Sequence, residues 1–348
     1  MGRRNIVCAP LRTVLWLALG ATAFTPGAGQ ADAPAVAWQA PSPAAGSVVS
    51  AQAGSKLTVT LSAAEPAVPT AVLRIKTTTR LPEGARLTVK RGNPAGAVLT
   101  WQLRGAQIGD NTLSFAALDN AAAPVSAPAL TFTVRIAPGY RRLSGVENLS
   151  RWAYVVRPAT VRTGPSRSAA AVGRLGLWTP ENYPNLALTL DERTDHSGAW
   201  VHIRLPILPN SRTGWVKRGA LGRYHSVSTH LIVNRETTTA TLYRNGVAIL
   251  RIPVGVGQRQ WPTPRGEFYI REKLTGFSDP AYGPLAFGTS ARSSVLTDWP
   301  GGGFIGIHGT DAPSLIPGHI SHGCIRLRNA AITHLGRLLP IGTPLTVL

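Results

Sequence analysis

Short β-rich runs, broken by turn formers about every ten residues, are the feature that most limits what this chain can become. Leu57-Thr58-Val59-Thr60-Leu61, Leu99-Thr100-Trp101-Gln102-Leu103 and Leu130-Thr131-Phe132-Thr133-Val134 are typical. Val36-Ala37-Trp38, Val72-Leu73-Arg74-Ile75-Lys76, Leu87-Thr88-Val89 and Thr112-Leu113-Ser114-Phe115-Ala116 belong to the same series. β-Branched and aromatic residues in this pattern suit pleated, half-buried strands, and the intervening Gly, Pro, Asn and Asp supply the turns. The expectation is a mainly β protein. With 348 residues, two or three domains are anticipated. A hydrophobic fraction of 44% excludes wholesale disorder and collagen-like structure. No apolar run reaches the ~18–20 residues of a spanning helix, which sets aside a polytopic membrane protein.

The series over residues 34–137 reads as an immunoglobulin-like β-sandwich. Phe115, Asp119-Asn120 and the run ending at Val134 resemble bacterial Ig-like extracellular repeats, implying a spacer or adhesion module. Residues 140–150, with Arg141 and Arg142, read as a linker. In residues 151–223, Val161-Arg162-Thr163-Gly164-Pro165-Ser166, Trp200-Val201-His202-Ile203 and Gly214-Trp215-Val216 resemble a bacterial SH3-like barrel. Trp200 and Trp215 are then core residues, and the insert 178–196 is longer than that pattern needs. From residue 227 onward the strands lengthen, and Asn245-Gly246 is a strong hairpin signal. A helix is expected over 330–339 with Asn329 as its cap, followed by a final strand at 345–348.

At the amino terminus, Arg3, Arg4 and Arg12 precede an apolar stretch from Val14 to Phe24. Pro26-Gly27 and Ala31-Asp32-Ala33 follow, so residues 1–33 read as a secretory signal peptide, with a retained anchor as the alternative. Export places the protein in the periplasm or cell wall. It also leaves Cys324 as the single mature cysteine of the two, since Cys8 departs with the signal. The formal net charge of +20 calls for an anionic environment. After export that means anionic wall polymers or a membrane surface rather than nucleic acid.

Chemistry concentrates in Gly306-Ile307-His308-Gly309-Thr310 and, beyond a loop, Ser321-His322-Gly323-Cys324-Ile325-Arg326. The only mature thiol stands beside imidazoles. A cysteine attacks as thiolate, and a neighbouring His can take its proton and hold an ion pair with it. Arg326 adds fixed positive charge, and Gly323 lets backbone amides approach closely enough for an oxyanion hole. The ensemble points to acyl transfer through a thioester. His308, His319, His322 and Cys324 make a poor match to common zinc spacings, so neither a metal nor an organic cofactor is expected.

These segments resemble the L,D-transpeptidase catalytic family, with further matches at Leu242-Tyr243-Arg244-Asn245-Gly246, Pro253-Val254-Gly255-Val256-Gly257 and Pro262-Thr263-Pro264-Arg265-Gly266-Glu267-Phe268. Gly342-Thr343-Pro344-Leu345 extends the match near the end of residues 227–348. The resemblance implies a mixed-sheet β-sandwich catalytic domain acting on peptidoglycan stem peptides, both donor and acceptor, and open to acylation by carbapenems. It implies Cys324 as nucleophile and His308 as general base, oriented by the Gly309 carbonyl. Ser321 and Gly323 match backbone-positioning and amide-donor positions, His322 shapes the oxyanion region or meets substrate, and Arg326 secures the site. The activity implied is 3→3 cross-linking. L,D-carboxypeptidase action on the same stems and an inactive wall-binding protein are the alternatives. Phe277, Tyr282, Phe287 and Trp299 fall in the segment that forms a lid in that family.

Overall fold

A computed structural model describes residues 36–120, 125–296 and 303–348. The expected signal peptide and Trp299 lie outside the described residues. The protein is mainly β, with a single α-helix among the described residues.

Residues 36–137 form two four-stranded sheets around one core. One runs in the order Ala37–Gln39, Lys56–Ala64, Ala95–Gln102, Ala85–Lys90, and the other Val48–Gln52, Leu130–Ala137, Gly109–Leu118, Arg74–Thr77. Alternation makes the core: Ala95, Ala97, Leu99 and Trp101 point inward from one strand while the residues between them face out. Phe115 and Phe132 stack at 5.8 Å within it.

The next unit is an eight-stranded sheet ordered Ala171–Leu175, Ala159–Arg162, Thr213–Lys217, Gly198–Arg204, Leu186–Asp195, Ser150–Tyr154, His225–Val227. Its eighth strand, Gly139–Arg142, pairs with Leu186–Asp195. The start of the expected linker is therefore a strand. Its Arg side chains face solvent, and Arg141 meets Glu192 across the pair. Leu186–Asp195 is also the long part of the insert, and a hairpin over 177–185 leads into it. Trp200 is buried, and Trp215 stacks on His202 at 4.7 Å.

The C-terminal unit is a ten-stranded mixed sheet in the order Val247–Pro253, Thr239–Arg244, Thr229–Asn234, Pro344–Val347, Gly266–Leu274, Ala286–Arg292, Phe304–His308, Ile325–Arg326, Gly255–Gly257, Gly318–Ser321. Asn245 and Gly246 both have positive φ, 51° and 78°, as a tight hairpin turn requires. The helix Asn329–Leu338 lays Ile332, Leu335 and Gly336 on the core at helical spacing. Arg328, not Asn329, occupies the cap position. Asn329 is the first helical residue, and its side chain is committed elsewhere.

The middle and C-terminal units share a small core of Trp152, Leu186, Leu188, Val227 and Tyr269. Tyr269 is wholly buried, and its hydroxyl donates to the Leu186 carbonyl at 3.2 Å. Gly342 lies flush against the Trp152 indole at φ 78°; a Cβ there would be 2.0 Å from the ring.

Candidate active site

Two adjacent strands position the candidate residues. Phe304–His308 runs parallel to Ile325–Arg326, with His308 opposite Arg326. This register sets Gly306 beside Cys324, and the Gly306 N–H donates to the sulfur at 3.3 Å. A Cβ on Gly306 would lie 3.8 Å from both Cys324 Sγ and His308 Cδ2. Thiol and imidazole thus flank the same bare patch of backbone.

His308 is buried, 4% exposed, and its Nδ1 meets the Gly309 carbonyl at 2.7 Å. A carbonyl can only accept, so Nδ1 carries the proton and Nε2 is left as the acceptor. The Cδ2 edge of the ring faces Gly306. Burial pushes the imidazole down from 6.5 to about 4; Arg326 acts in the same sense, and the Gly309 and Ala281 carbonyls oppose it. Burial pushes the Cys324 thiol up, against the pull of the Gly306 N–H and Arg326. The residue itself keeps partial access to solvent. Burial thus favours the uncharged thiol and imidazole over a thiolate–imidazolium pair, outweighing the groups that favour charge.

The loop bearing the cysteine is tied from within and from outside. Ser321 Oγ donates to the Cys324 carbonyl at 2.5 Å and accepts from the Gly323 N–H at 3.1 Å. The Gly323 amide is therefore engaged inside the loop, by the Ser321 hydroxyl. Thr263 Oγ1, 1% exposed, donates to the Gly323 carbonyl at 2.7 Å and accepts from the Gly257 N–H at 2.9 Å. Asn329 Oδ1 accepts from the Thr310 N–H at 2.9 Å, holding the turn that follows His308. Thr263 and Gly306 carry no local signal of these roles. Asn329 has the side chain of a helix cap, and only the fold shows that it reaches Thr310.

His322 is exposed and packs against Trp261 at 4.2 Å. His319 sits on Gly318–Ser321, and its Nδ1 lies 3.2 Å from the Gly257 carbonyl. Arg326 Nε is buried and without a hydrogen-bond partner among the described residues. No group of three or more His, Cys, Asp or Glu among the described residues is placed to hold a metal.

Two clefts of about 270 Å³ each meet at Cys324 and His308. One is lined by Arg326, His322, Asp279, Ser293 and Phe304. The other is lined by Glu181, Glu272, Leu274, Phe277 and Gly306. Tyr282 borders both, its ring 5.1 Å from His308 and stacked on Phe277 at 5.3 Å. Phe287 is instead wholly buried in the core.

The YkuD family model, describing the L,D-transpeptidase catalytic domain, matches residues 228–347. YkuD of Bacillus subtilis (strain 168) is 33% identical over 125 residues, covering 35% of this chain and 68% of that protein. The Bacillus licheniformis YkuD is 31% identical over 117 residues, or 34% of this chain and 64% of its own length. Among solved structures, a mutant L,D-transpeptidase of Enterococcus faecium shares 24% identity over 34% of this chain and 49% of that one, with a TM-score of 0.28. An L,D-transpeptidase from Mycobacterium smegmatis aligns over 90% of this chain and 99% of its own at 16% identity and a TM-score of 0.27. The chain therefore spans about two thirds of the Bacillus relatives and half of the Enterococcus one. By the Bacillus subtilis match and the family model, this chain belongs to the YkuD family of L,D-transpeptidases.

Proposed function

We propose that this protein is an exported peptidoglycan L,D-transpeptidase that works through a thioester on Cys324. The observation that carries this reading is the shared approach of Cys324 Sγ and the Cδ2 edge of the His308 ring to the bare face of Gly306, with His308 Nδ1 engaged by the Gly309 carbonyl. His308 Nε2 takes the thiol proton as the sulfur attacks the carbonyl at the L-centre of the diamino acid in position three of a stem. A C–S bond forms, the C–N bond to the terminal D-Ala breaks, and His308 returns the proton to the departing amine. Because both groups start neutral, proton transfer accompanies attack instead of preceding it. Arg326, with an unpartnered buried Nε in the first cleft, suits the carboxylate of the leaving D-Ala.

An amine from a neighbouring stem then resolves the thioester, giving a 3→3 cross-link. Water in its place gives the carboxypeptidase reaction. The two upstream units and the +20 charge serve to hold the enzyme on anionic wall polymers or headgroups. The test is incubation of the purified protein with sacculi, followed by mass analysis of the muropeptides. New 3→3 dimers are expected; tripeptide monomers alone would assign the hydrolase, and unchanged muropeptides would overturn both.

A further inference from the structure

The second cleft is lined by two acids, Glu181 and Glu272. Glu272 lies on the strand Gly266–Leu274 and is 3% exposed. Glu181 comes from the middle unit, on the hairpin 177–185 that the SH3-like pattern did not call for, and enters the same cleft. Thr179, on that hairpin, donates to Glu272 Oε2 at 2.6 Å and fixes the hairpin against the catalytic sheet. Glu181 stands within hydrogen-bonding reach of Glu272, and its Oε2 is fully buried with no hydrogen-bond partner.

Neither carboxylate forms a salt bridge among the described residues. In a chain with 36 Lys and Arg against 16 Asp and Glu, two acids from separate units converge here, and Arg271 acts on Glu272 without forming a salt bridge with it. Burial pushes the Glu272 carboxyl up to about 7, so the pair can take up a proton, and a cation entering the cleft would favour its charged form. The cleft they line opens onto Cys324 and His308, where the acceptor must arrive. An amine at neutral pH arrives as an ammonium, which offers three N–H donors and a positive charge.

We propose that Glu181 and Glu272 form the subsite that binds the acceptor ammonium and removes its extra proton. This inference rests on the transpeptidase reading above. One N–H proton of the ammonium passes to the carboxylate pair, leaving a neutral amine. Its nitrogen attacks the thioester carbonyl, an N–C bond forms and the C–S bond breaks. The second N–H proton passes through His308 to the sulfur, regenerating the thiol. The middle unit thereby supplies part of the active site and biases the enzyme toward aminolysis over hydrolysis.

The experiment compares wild type with Glu181→Gln and Glu272→Gln in the full chain. The latter keeps size and can still accept from Thr179. Acylation of Cys324 is followed by intact mass with a carbapenem and with a tetrapeptide stem. Aminolysis is followed with a stem tripeptide ending in a free diamino acid as acceptor. Loss of a charge-assisted contact should raise the acceptor KM by about ten- to a hundredfold and shift product toward hydrolysis, with acylation unchanged. An unchanged acceptor KM in both variants overturns the proposal. So does a parallel fall in acylation and aminolysis, which would make the pair a structural latch. If wild type is never acylated at Cys324, the transpeptidase reading itself falls, and this one with it.

Discussion

Thr263 Oγ1 joins the Gly257 amide to the Gly323 carbonyl, at 2.9 and 2.7 Å, so one buried hydroxyl spans two loops beside Cys324. Thr263→Val keeps the shape and removes both bonds, leaving a buried amide and carbonyl unpaired. The expected cost is about 1–3 kcal/mol in denaturant unfolding, with a slower acylation of Cys324. Thr263→Ser should restore most of both. Equal behaviour of Val and Ser variants would show that the hydroxyl does not hold the loop.

Protonation of His308 gives a second outcome. The base must be neutral to accept the thiol proton, so acylation should persist below ordinary imidazole pH and fail only as pH drops through about 4. The same shift acts on stability. The folded imidazole is depressed relative to 6.5 in the unfolded chain, so its contribution is intact above 6.5 and is lost as pH falls through about 4. Haloacetamide alkylation of Cys324 against pH should give a thiol above its usual range. Because the pair rests neutral, His308→Ala should lower acylation by ~10²–10⁴-fold while moving the thiol titration little. A large rise of the thiol pKa in that variant would restore the ion-pair picture.

Cys324→Ser replaces a thiol by a far weaker acid at a site with no other cysteine among the described residues. Turnover on a tetrapeptide stem should vanish, and the single carbapenem adduct expected by intact mass for wild type should be absent. Thermal unfolding should stay close to wild type. Retained turnover would remove the thioester from the mechanism.

At the junction of the two units, Gly342→Ala is expected to destabilise by about 1–3 kcal/mol, because its Cβ would meet the Trp152 ring at 2.0 Å and its φ of 78° disfavours a side chain. Calorimetry should show the middle and C-terminal units losing stability together. If only the C-terminal transition moved, the shared core would not couple them.

How much of this was legible depended on how local the signal was. Leu99–Leu103 and the Asn245-Gly246 turn declare themselves through alternation and through φ demands that few residues meet. The strand Val48–Gln52 was passed over because Ser50, Ala51 and Gln52 carry little strand preference; its parallel partner Leu130–Ala137 supplies the register. Gly139–Arg142 looked like a linker because charged residues suit a solvated strand as well as they suit a loop. At the site, Cys324 and His308 stand in short motifs whose chemistry is readable in one dimension. Thr263, Asn329 and Glu272 act on residues far along the chain, and Thr179 and Glu272 are 93 positions apart. Their protonation balance was unreadable too, since desolvation depends on neighbours that no spacing reveals.

The contact of Trp152 with Gly342, sealed by buried Tyr269, has a mechanical meaning. A catalytic unit on a loose tether would sweep through many orientations and meet a stem peptide at random angles. Here the hairpin 177–185 is fixed relative to the sulfur, like one jaw of a caliper set against the other. The direction from which a molecule can enter the cleft between that hairpin and Cys324 is set when the protein folds.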